Sequence, residues 1–175
     1  MKNITTKPHL GGHANITHIE SKSIEYLKHK YSIRSAYDLG CGPGGMVKHM
    51  QSMGINSIGI DGDPTVKADI IHDFNDGPLV LLPKDFCLSI EFLEHVEECY
   101  MDNYFTVFNA CKVILCTAST NPRPRWHVNV QETPYWIDQF AQRNWKLNQI
   151  DTDWVRNNSD MRRNFIRTTG MVFTQ

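Results

Sequence analysis

This sequence is most informative first in what it lacks. No stretch approaches the roughly 18 consecutive apolar residues that a membrane-crossing helix needs. The opening MKNITTKPHLGGHANITH has neither an apolar core nor a small-residue cleavage site, so it does not read as a secretory leader. There is no internal repeat and no Pro/Gly/Ser-rich linker to divide the chain. Neither sign of charge is in excess: 18 Lys and Arg face 19 Asp and Glu, a formal net charge of −1 that gives no global attraction for duplex nucleic acid or an anionic membrane. The cysteines at Cys41, Cys87, Cys99, Cys111 and Cys116 are an odd number without a CxxC pair, which disfavours a disulfide scaffold and predicts free, reduced thiols. Together these absences predict a soluble cytoplasmic protein, a monomer or weak dimer. With 175 residues, 41% hydrophobic and 21% charged, the chain is neither disordered nor fibrous, and it suits one ordinary domain. That domain is expected over residues 18–175, behind an N-terminal arm or lid over 1–17.

The charge that is present is uneven. Residues 1–120 carry 10 basic and 14 acidic side chains, and residues 121–175 carry 8 and 5. The plain reading of the basic C-terminal third is solvated helix faces rather than a phosphate-binding surface.

What the sequence does have is apolar β-type runs alternating with amphipathic segments. Residues 18–31 place Ile19, Ile24, Leu27 and Tyr31 at near-helical spacing. A strand over 36–39 runs into Gly40, Gly42, Gly44 and Gly45, followed by a helix over 46–53 that Gly54 ends. Strands are expected at 57–60, around 70–71, at 85–90 and at 112–117, with a helix over 96–108 before the last of these. Thr133 ahead of Pro134 predicts a helix start with a capping hydroxyl, the helix running to about Arg143. Strands near 145–150 and 168–174 close the pattern, separated by a short segment over 154–164. Strands alternating with helices give parallel βαβ units, and the short last connection makes one C-terminal strand antiparallel. The predicted architecture is a three-layer α/β sandwich.

The glycine loop between the first strand and its helix carries the first chemical signal. Glycines are needed where a backbone turns sharply and closely approaches a ligand. Gly40, Gly42 and Gly45 fit a dinucleotide fingerprint, but that pattern alone is weak. Asp38, just before the loop, would repel a pyrophosphate and suit an ammonium-bearing ligand. Asp61 ends the second strand, where a carboxylate can accept from ribose hydroxyls. The pattern asks for a cationic nucleoside without a pyrophosphate.

At these residues the chain resembles the class I S-adenosylmethionine-dependent methyltransferases, in particular their small type-11/type-23 branch. The matching segments are DLGCGPG at 38–44, ID at 60–61, HDF at 72–74, SIEFLEHV at 89–96 and HVNVQETPYWIDQF at 127–140. The resemblance covers roughly residues 33–175. It implies a Rossmann-like, mostly parallel seven-stranded sheet with one antiparallel strand, and S-adenosyl-L-methionine as cofactor. It further implies that Gly40, Cys41, Gly42 and Gly44 line the cofactor, with Asp38 facing its amino group. Asp61 and Gly62 would meet the ribose, Asp73 and the backbone of Phe74 the adenine edge, and Ser89 and Glu91 the sulfonium. Asp63, with Pro64 behind it, reads as a helix cap.

Two segments offer catalytic chemistry. In Glu91-Phe-Leu-Glu94-His95, a helix beginning at Glu91 would put both carboxylates and the imidazole on one face. Such a set suits Mg2+ or another divalent ion, and metal-assisted methyltransferases of ubiquinone biosynthesis and of small-RNA 3′ ends are similar here. The alternative is that Glu94 caps the helix and His95 packs locally. In Arg125-Trp126-His127, His127 is a candidate general base, an extra metal ligand or a structural anchor. Trp126, Tyr135 and Trp136 form a candidate aromatic wall, although Trp136 and Phe140 at helical spacing read as core. The arm stretch from Pro8 to His13 could fold over the cofactor as a lid with Gly11 and Gly12 as hinges; His9, His13 and His18 lack regular zinc spacing, and the other reading is a partly disordered arm.

These residues predict a methyltransferase with a small-molecule, sugar or nucleotide-end acceptor, O-methylation being favoured. SIEF after the fourth strand, in place of an [DN]PP[YFW] run, disfavours base N-methylation. The alternatives are a non-catalytic S-adenosylmethionine-binding regulatory module and a nicotinamide-dependent oxidoreductase.

Overall fold

The computed structural model describes Lys7 and residues 9–175. Its elements run α1 (Lys22–Tyr31), β1 (Ser35–Leu39), α2 (Gly45–Ser52), β2 (Asn56–Asp61), β3 (Ile70–Ile71), β4 (Phe86–Ser89), α3 (Met101–Asn109), β5 (Val113–Cys116), α4 (Thr133–Ala141), β6 (Lys146–Leu147), α5 (Gln149–Asn158), α6 (Phe165–Thr169) and β7 (Met171–Thr174). The strands form one seven-stranded sheet in the order β3-β2-β1-β4-β5-β7-β6. The first five pair in parallel, and β7 runs antiparallel to both its neighbours. This is the predicted three-layer α/β sandwich with one antiparallel strand.

The period-two alternation of the strands divides the core into two layers. Tyr37, Leu39, Cys87, Ile114, Cys116 and Phe173 face a layer completed by α3 and α4 through Tyr104, Phe105, Trp136 and Phe140. Ala36, Phe86, Leu88, Val113, Leu115 and Val172 face the other, completed by Ile24, Met46, Met50, Val155 and Ile166 of α1, α2, α5 and α6. Trp136 is core, as its spacing with Phe140 predicts; Phe140 stacks on Phe173 with ring centroids 4.0 Å apart. All five cysteines are free thiols, only Cys99 being exposed. Among the described residues, no helix is long and apolar enough to cross a membrane.

Several boundaries differ from expectation, each for a local reason. The first helix begins at Lys22 rather than at residue 18, and Ile19 is left exposed. The helix expected over 96–108 divides: 3₁₀ turns occupy Leu93–His95 and Glu98–Tyr100, and the α-helix starts only at Met101. Thr133 is the first helical residue rather than the cap; Glu132 holds the cap position without a side-chain bond, and the helix rests on the preset φ of Pro134. The strand expected to reach Ile150 ends at Leu147, because Asn148 caps a helix by accepting from the Asp151 N–H at 3.1 Å. The expected short connection over 154–164 is therefore largely α5 and its exit, and the last strand starts at Met171 instead of residue 168.

Candidate active site

The ends of β1, β2, β3, β4 and β5 open into a cleft of about 430 Å3. Its floor is the glycine loop. After Leu39 the chain turns so that the N–H groups of Gly40 and Cys41 both donate to the Ile60 carbonyl, at 2.9 and 3.1 Å. Gly40 has φ +77°, and a Cβ there would lie 2.8 Å from the Phe92 side chain; Gly42 has φ +52° and faces the His13 Cβ. Both positions combine a left-handed backbone with close approach, the two reasons a chain requires glycine. Gly40, Cys41 and Gly42 line the cleft. Gly44 does not; it holds the cap position of α2.

Three carboxyl groups reach the cleft from successive strands, in three different environments. Asp38 is buried, and its Oδ2 has no hydrogen-bond partner among the described residues. Burial, reinforced by nearby Asp61, pushes its carboxyl up to about 7. Asp61 is held by backbone: the Gly42 N–H donates to Oδ2 at 2.7 Å and the Asp63 N–H to Oδ1 at 2.8 Å. Burial still leaves its carboxyl raised, against the pull of these two donors. Asp73 caps the short turn Phe74–Asp76 through the Asn75 N–H, and it receives Lys7 Nζ at 2.7 Å and His9 Nε2 at 3.0 Å. Burial would raise its carboxyl, but these donors outweigh burial and hold it below the usual range. Gly62 and Phe74 complete this end. Ser89 does not reach it, being sealed within β4 with its hydroxyl unpartnered.

A cationic ligand fits this end on structural grounds. An orphaned buried carboxylate oxygen needs a donor, and an ammonium group supplies one. The two left-handed glycines keep the adjoining volume clear, and Asp61 retains lone pairs beyond the two its backbone partners use.

The second cluster lies on the neighbouring side of the cleft and differs from the sequence expectation. Glu94, His95 and His127 each offer a ligand atom within 4.8 Å of the others. Glu91 is not among them. Its backbone takes φ +51°, and its Oε1 accepts from Thr117 Oγ1 at 2.9 Å while its N–H donates to the same oxygen. Burial raises its carboxyl despite that bond. Glu94 caps no helix: it is fully buried with neither carboxylate oxygen partnered among the described residues, and burial followed by the charge of Glu91 pushes its carboxyl well above the ordinary range. The backbone brings His127 to it, since the N–H groups of Val128 and Asn129 donate to the Glu94 carbonyl at 2.9 and 3.0 Å. His127 Nε2 then stands 3.9 Å from Glu94 Oε1.

The two imidazoles are oriented alike. His127 Nδ1 faces the Asn121 carbonyl at 2.7 Å, and His95 Nδ1 faces the His9 carbonyl at 3.3 Å. A carbonyl accepts only, so Nδ1 carries the proton in each and the Nε2 lone pair is the free one. Burial, then the neighbouring His127, drives the His95 imidazole down to about 4 and keeps it neutral. Two imidazoles tied at Nδ1 beside a carboxyl group without a partner among the described residues match the way metal-ligating histidines are held.

Arm residues also line the cleft. His9 sits on Asp73, Leu10 packs against Gly62, and His13 Nε2 reaches Asp63 Oδ2 at 3.2 Å. Asp63 therefore caps a turn through Thr65 N–H and anchors the arm; no helix follows it. His18 stands edge-on to Phe165, with centroids 5.7 Å apart. Pro8 lies outside the described residues. Of the candidate aromatic wall, Trp126 lines the cleft, while the Tyr135 hydroxyl donates to Glu98 outside it. Arg163 and Phe165 also line the cleft; sequence reasoning missed them because they arrive from the far side of α5.

No protein-family model and no curated protein matches the sequence. Solved structures do. A DhpI–SAM–HEP complex aligns with TM-score 0.57 and 14% identity over 87% of this chain and 82% of its own. The methyltransferase domain of bacterial CtHen1-CN gives 0.55 and 14% over 87% and 96%. A complex of the Haloferax volcanii Trm112 methyltransferase activator with a methyltransferase gives 0.55 and 15% over 71% and 68%. The chain has the fold of the class I S-adenosylmethionine-dependent methyltransferases.

Proposed function

We propose that the protein is a methyltransferase that uses S-adenosylmethionine and a divalent ion to methylate a hydroxyl of a small molecule, a sugar or a nucleotide end. The observation that carries this reading is the buried, unpartnered Asp38 carboxylate at the glycine loop, in the same cleft as the convergent Glu94, His95 and His127. S-adenosylmethionine would supply a methyl group on a sulfonium: the acceptor oxygen would attack that carbon in line as its bond to sulfur breaks, and the thioether S-adenosylhomocysteine would leave. Asp38 accepts from the cofactor's ammonium group, Asp61 from its ribose hydroxyls, and Gly40 and Gly42 leave room for it. The Asp73 end takes the adenine edge. Glu94, His95 and His127 hold an ion such as Mg2+, which lowers the pKa of an acceptor hydroxyl. Adjacent hydroxyls, as in a vicinal diol, suit such a site because they can chelate. With His127 Nδ1 bonded to the Asn121 carbonyl, its Nε2 is the atom available as ligand or base. Alignment and exclusion of water supply the remainder of the rate, and the arm residues over the cleft support that role.

A nicotinamide-dependent oxidoreductase fits less well, because Asp38 would meet a pyrophosphate. A non-catalytic cofactor-binding module would use the same carboxylates and glycines, and methyl transfer to any acceptor separates it from an enzyme. The test pairs calorimetry with a labelled-methyl acceptor screen. S-adenosylmethionine and its demethylated product should bind and NAD should not, and transfer should stop in EDTA and return with Mg2+ or Mn2+. Full activity in EDTA removes the ion and leaves the methyl transfer; binding of NAD alone removes both.

A further inference from the structure

The charge lining the cleft changes sign along the sheet. Its four lining carboxyl groups, Asp38, Asp61, Asp73 and Glu91, belong to the ends of β1, β2, β3 and β4. The lip beyond β5 has none. There the wall is the loop over 119–127 and the segment leading into α6, and the charged side chain lining it is Arg163. Arg125 stands behind, its guanidinium 6.0 Å from the ring of Trp126, which lines the cleft. Arg123 and Arg162 flank these two in the sequence. All four lie on loops rather than on the helix faces expected from the sequence, and none makes an ion pair among the described residues.

Some of the other basic side chains are engaged. Lys7, Lys30, Lys112 and Arg143 all meet carboxylates, and Arg156 and Arg167 donate to Gly170 O and Asn164 Oδ1. Asp160, the acid nearest Arg163 in the chain, is engaged by the N–H groups of Ser21 and Lys22. The charges of Arg162 and Arg163 also reach the lip, adding to burial in holding the His18 imidazole low. A guanidinium fork at this lip is matched to a phosphate, which it can meet with two parallel N–H donors.

We propose that this lip is a phosphate-binding subsite, in which Arg163 and Arg125 grip the phosphate ester of a phosphorylated sugar acceptor while the acceptor hydroxyl reaches the Glu94–His95–His127 cluster. The subsite rests on the methyl-transfer reading for its purpose but not for its chemistry. A free sugar phosphate and the phosphodiester beside a single-strand terminus present the same group.

The test measures binding of ribose, ribose 5-phosphate and a short single-stranded oligoribonucleotide, with and without saturating S-adenosylhomocysteine. A phosphorylated probe should bind at least about tenfold tighter than ribose, and Arg163→Ala and Arg125→Ala should each cost about tenfold of that. Arg34→Ala serves as a control of equal charge: Arg34 is exposed, precedes β1 at the opposite end of the strands from the cleft, and should change nothing. Preference for the oligonucleotide identifies a strand end as the source, and preference for ribose 5-phosphate a free sugar phosphate. Failure of both phosphorylated probes to bind, equal binding of ribose and ribose 5-phosphate, or wild-type affinity in both arginine variants overturns the subsite. Failure of S-adenosylhomocysteine to bind overturns the methyl-transfer reading instead, and the phosphate arms are still read without it.

Discussion

The two ends of the cleft are built by different means. At the glycine end, each acid belongs to a strand or to the residues just after it, and backbone N–H groups hold Asp61 and Asp73 in place. At the histidine end, Glu94 and His95 come from a 3₁₀ turn and His127 from a loop more than 30 residues on, joined by two hydrogen bonds to the Glu94 carbonyl. The first end is a property of local chain geometry. The second exists only once the loop has docked. Among the described residues each end nevertheless keeps one buried carboxyl without a donor, Asp38 and Glu94, at a cost to the stability of the ligand-free fold.

The largest effect should come from breaking the backbone geometry of the glycine end. In Gly40→Val, a branched side chain is forced into a left-handed conformation and against Phe92, so cofactor affinity should fall at least about a hundredfold in calorimetry, with a lower Tm. Wild-type affinity would show that this loop does not face the cofactor.

Asp38→Asn sharpens the comparison by separating fold from ligand. The Asp38 carboxyl is raised to about 7 in the folded chain from 3.8, so the ligand-free protein loses stability as pH rises through about 7. Replacing it should stabilise the ligand-free protein at pH 8 by roughly 2–4 kcal/mol, read from denaturant midpoints. The same variant should bind cofactor roughly 10- to 100-fold more weakly. In the wild type, affinity for the cationic cofactor should drop up to about tenfold per unit as pH falls below about 7, where Asp38 takes up its proton. An affinity flat across that range would remove Asp38 from the ammonium contact.

Glu94→Gln asks the same question at the histidine end, where, as at Asp38, the new amide must itself be buried and offsets part of the gain. The Glu94 carboxyl is raised well above 4.5, so its stability cost is present at alkaline pH and fades as pH falls through its folded value. The variant should gain about 1 kcal/mol at pH 8 and progressively less toward pH 5, measured by thermal unfolding in EDTA. Mg2+ should raise the Tm of the wild type and not of the variant.

The contrast between the ends also explains what could be read from the sequence. Asp38, Gly40, Gly42 and Asp61 were legible because a strand end, a left-handed turn and an acid 19 residues after Gly42 constrain residue type locally. The sheet was legible because β1, β2, β4 and β5 are short apolar runs bounded by turn residues. Glu91 was misplaced because periodicity assumes a helix where the backbone instead takes a left-handed step at a non-glycine residue. Residues 148–150 read as strand through the apolar Leu147 and Ile150, although Asn148 three residues before Asp151 was a capping signal. Arg163 could not be placed, since which loop meets which lip is settled by the packing of α5 and α6 against the sheet. The arm histidines had no spacing to betray them; each found an aspartate, at Asp73 and Asp63.

The position of β7 has a consequence for assembly during synthesis. It is made after β6, yet it lies between β5 and β6. Until residues 171–174 leave the ribosome, the outer edge of β5 has no strand beside it and β6 has no neighbour at all. The nascent sheet thus passes through a stage with an open apolar edge, and closure comes from the chain's most recently made strand. A growing chain halted before Met171 would present that edge to other nascent strands, the kind of unpaired edge that templates aggregation.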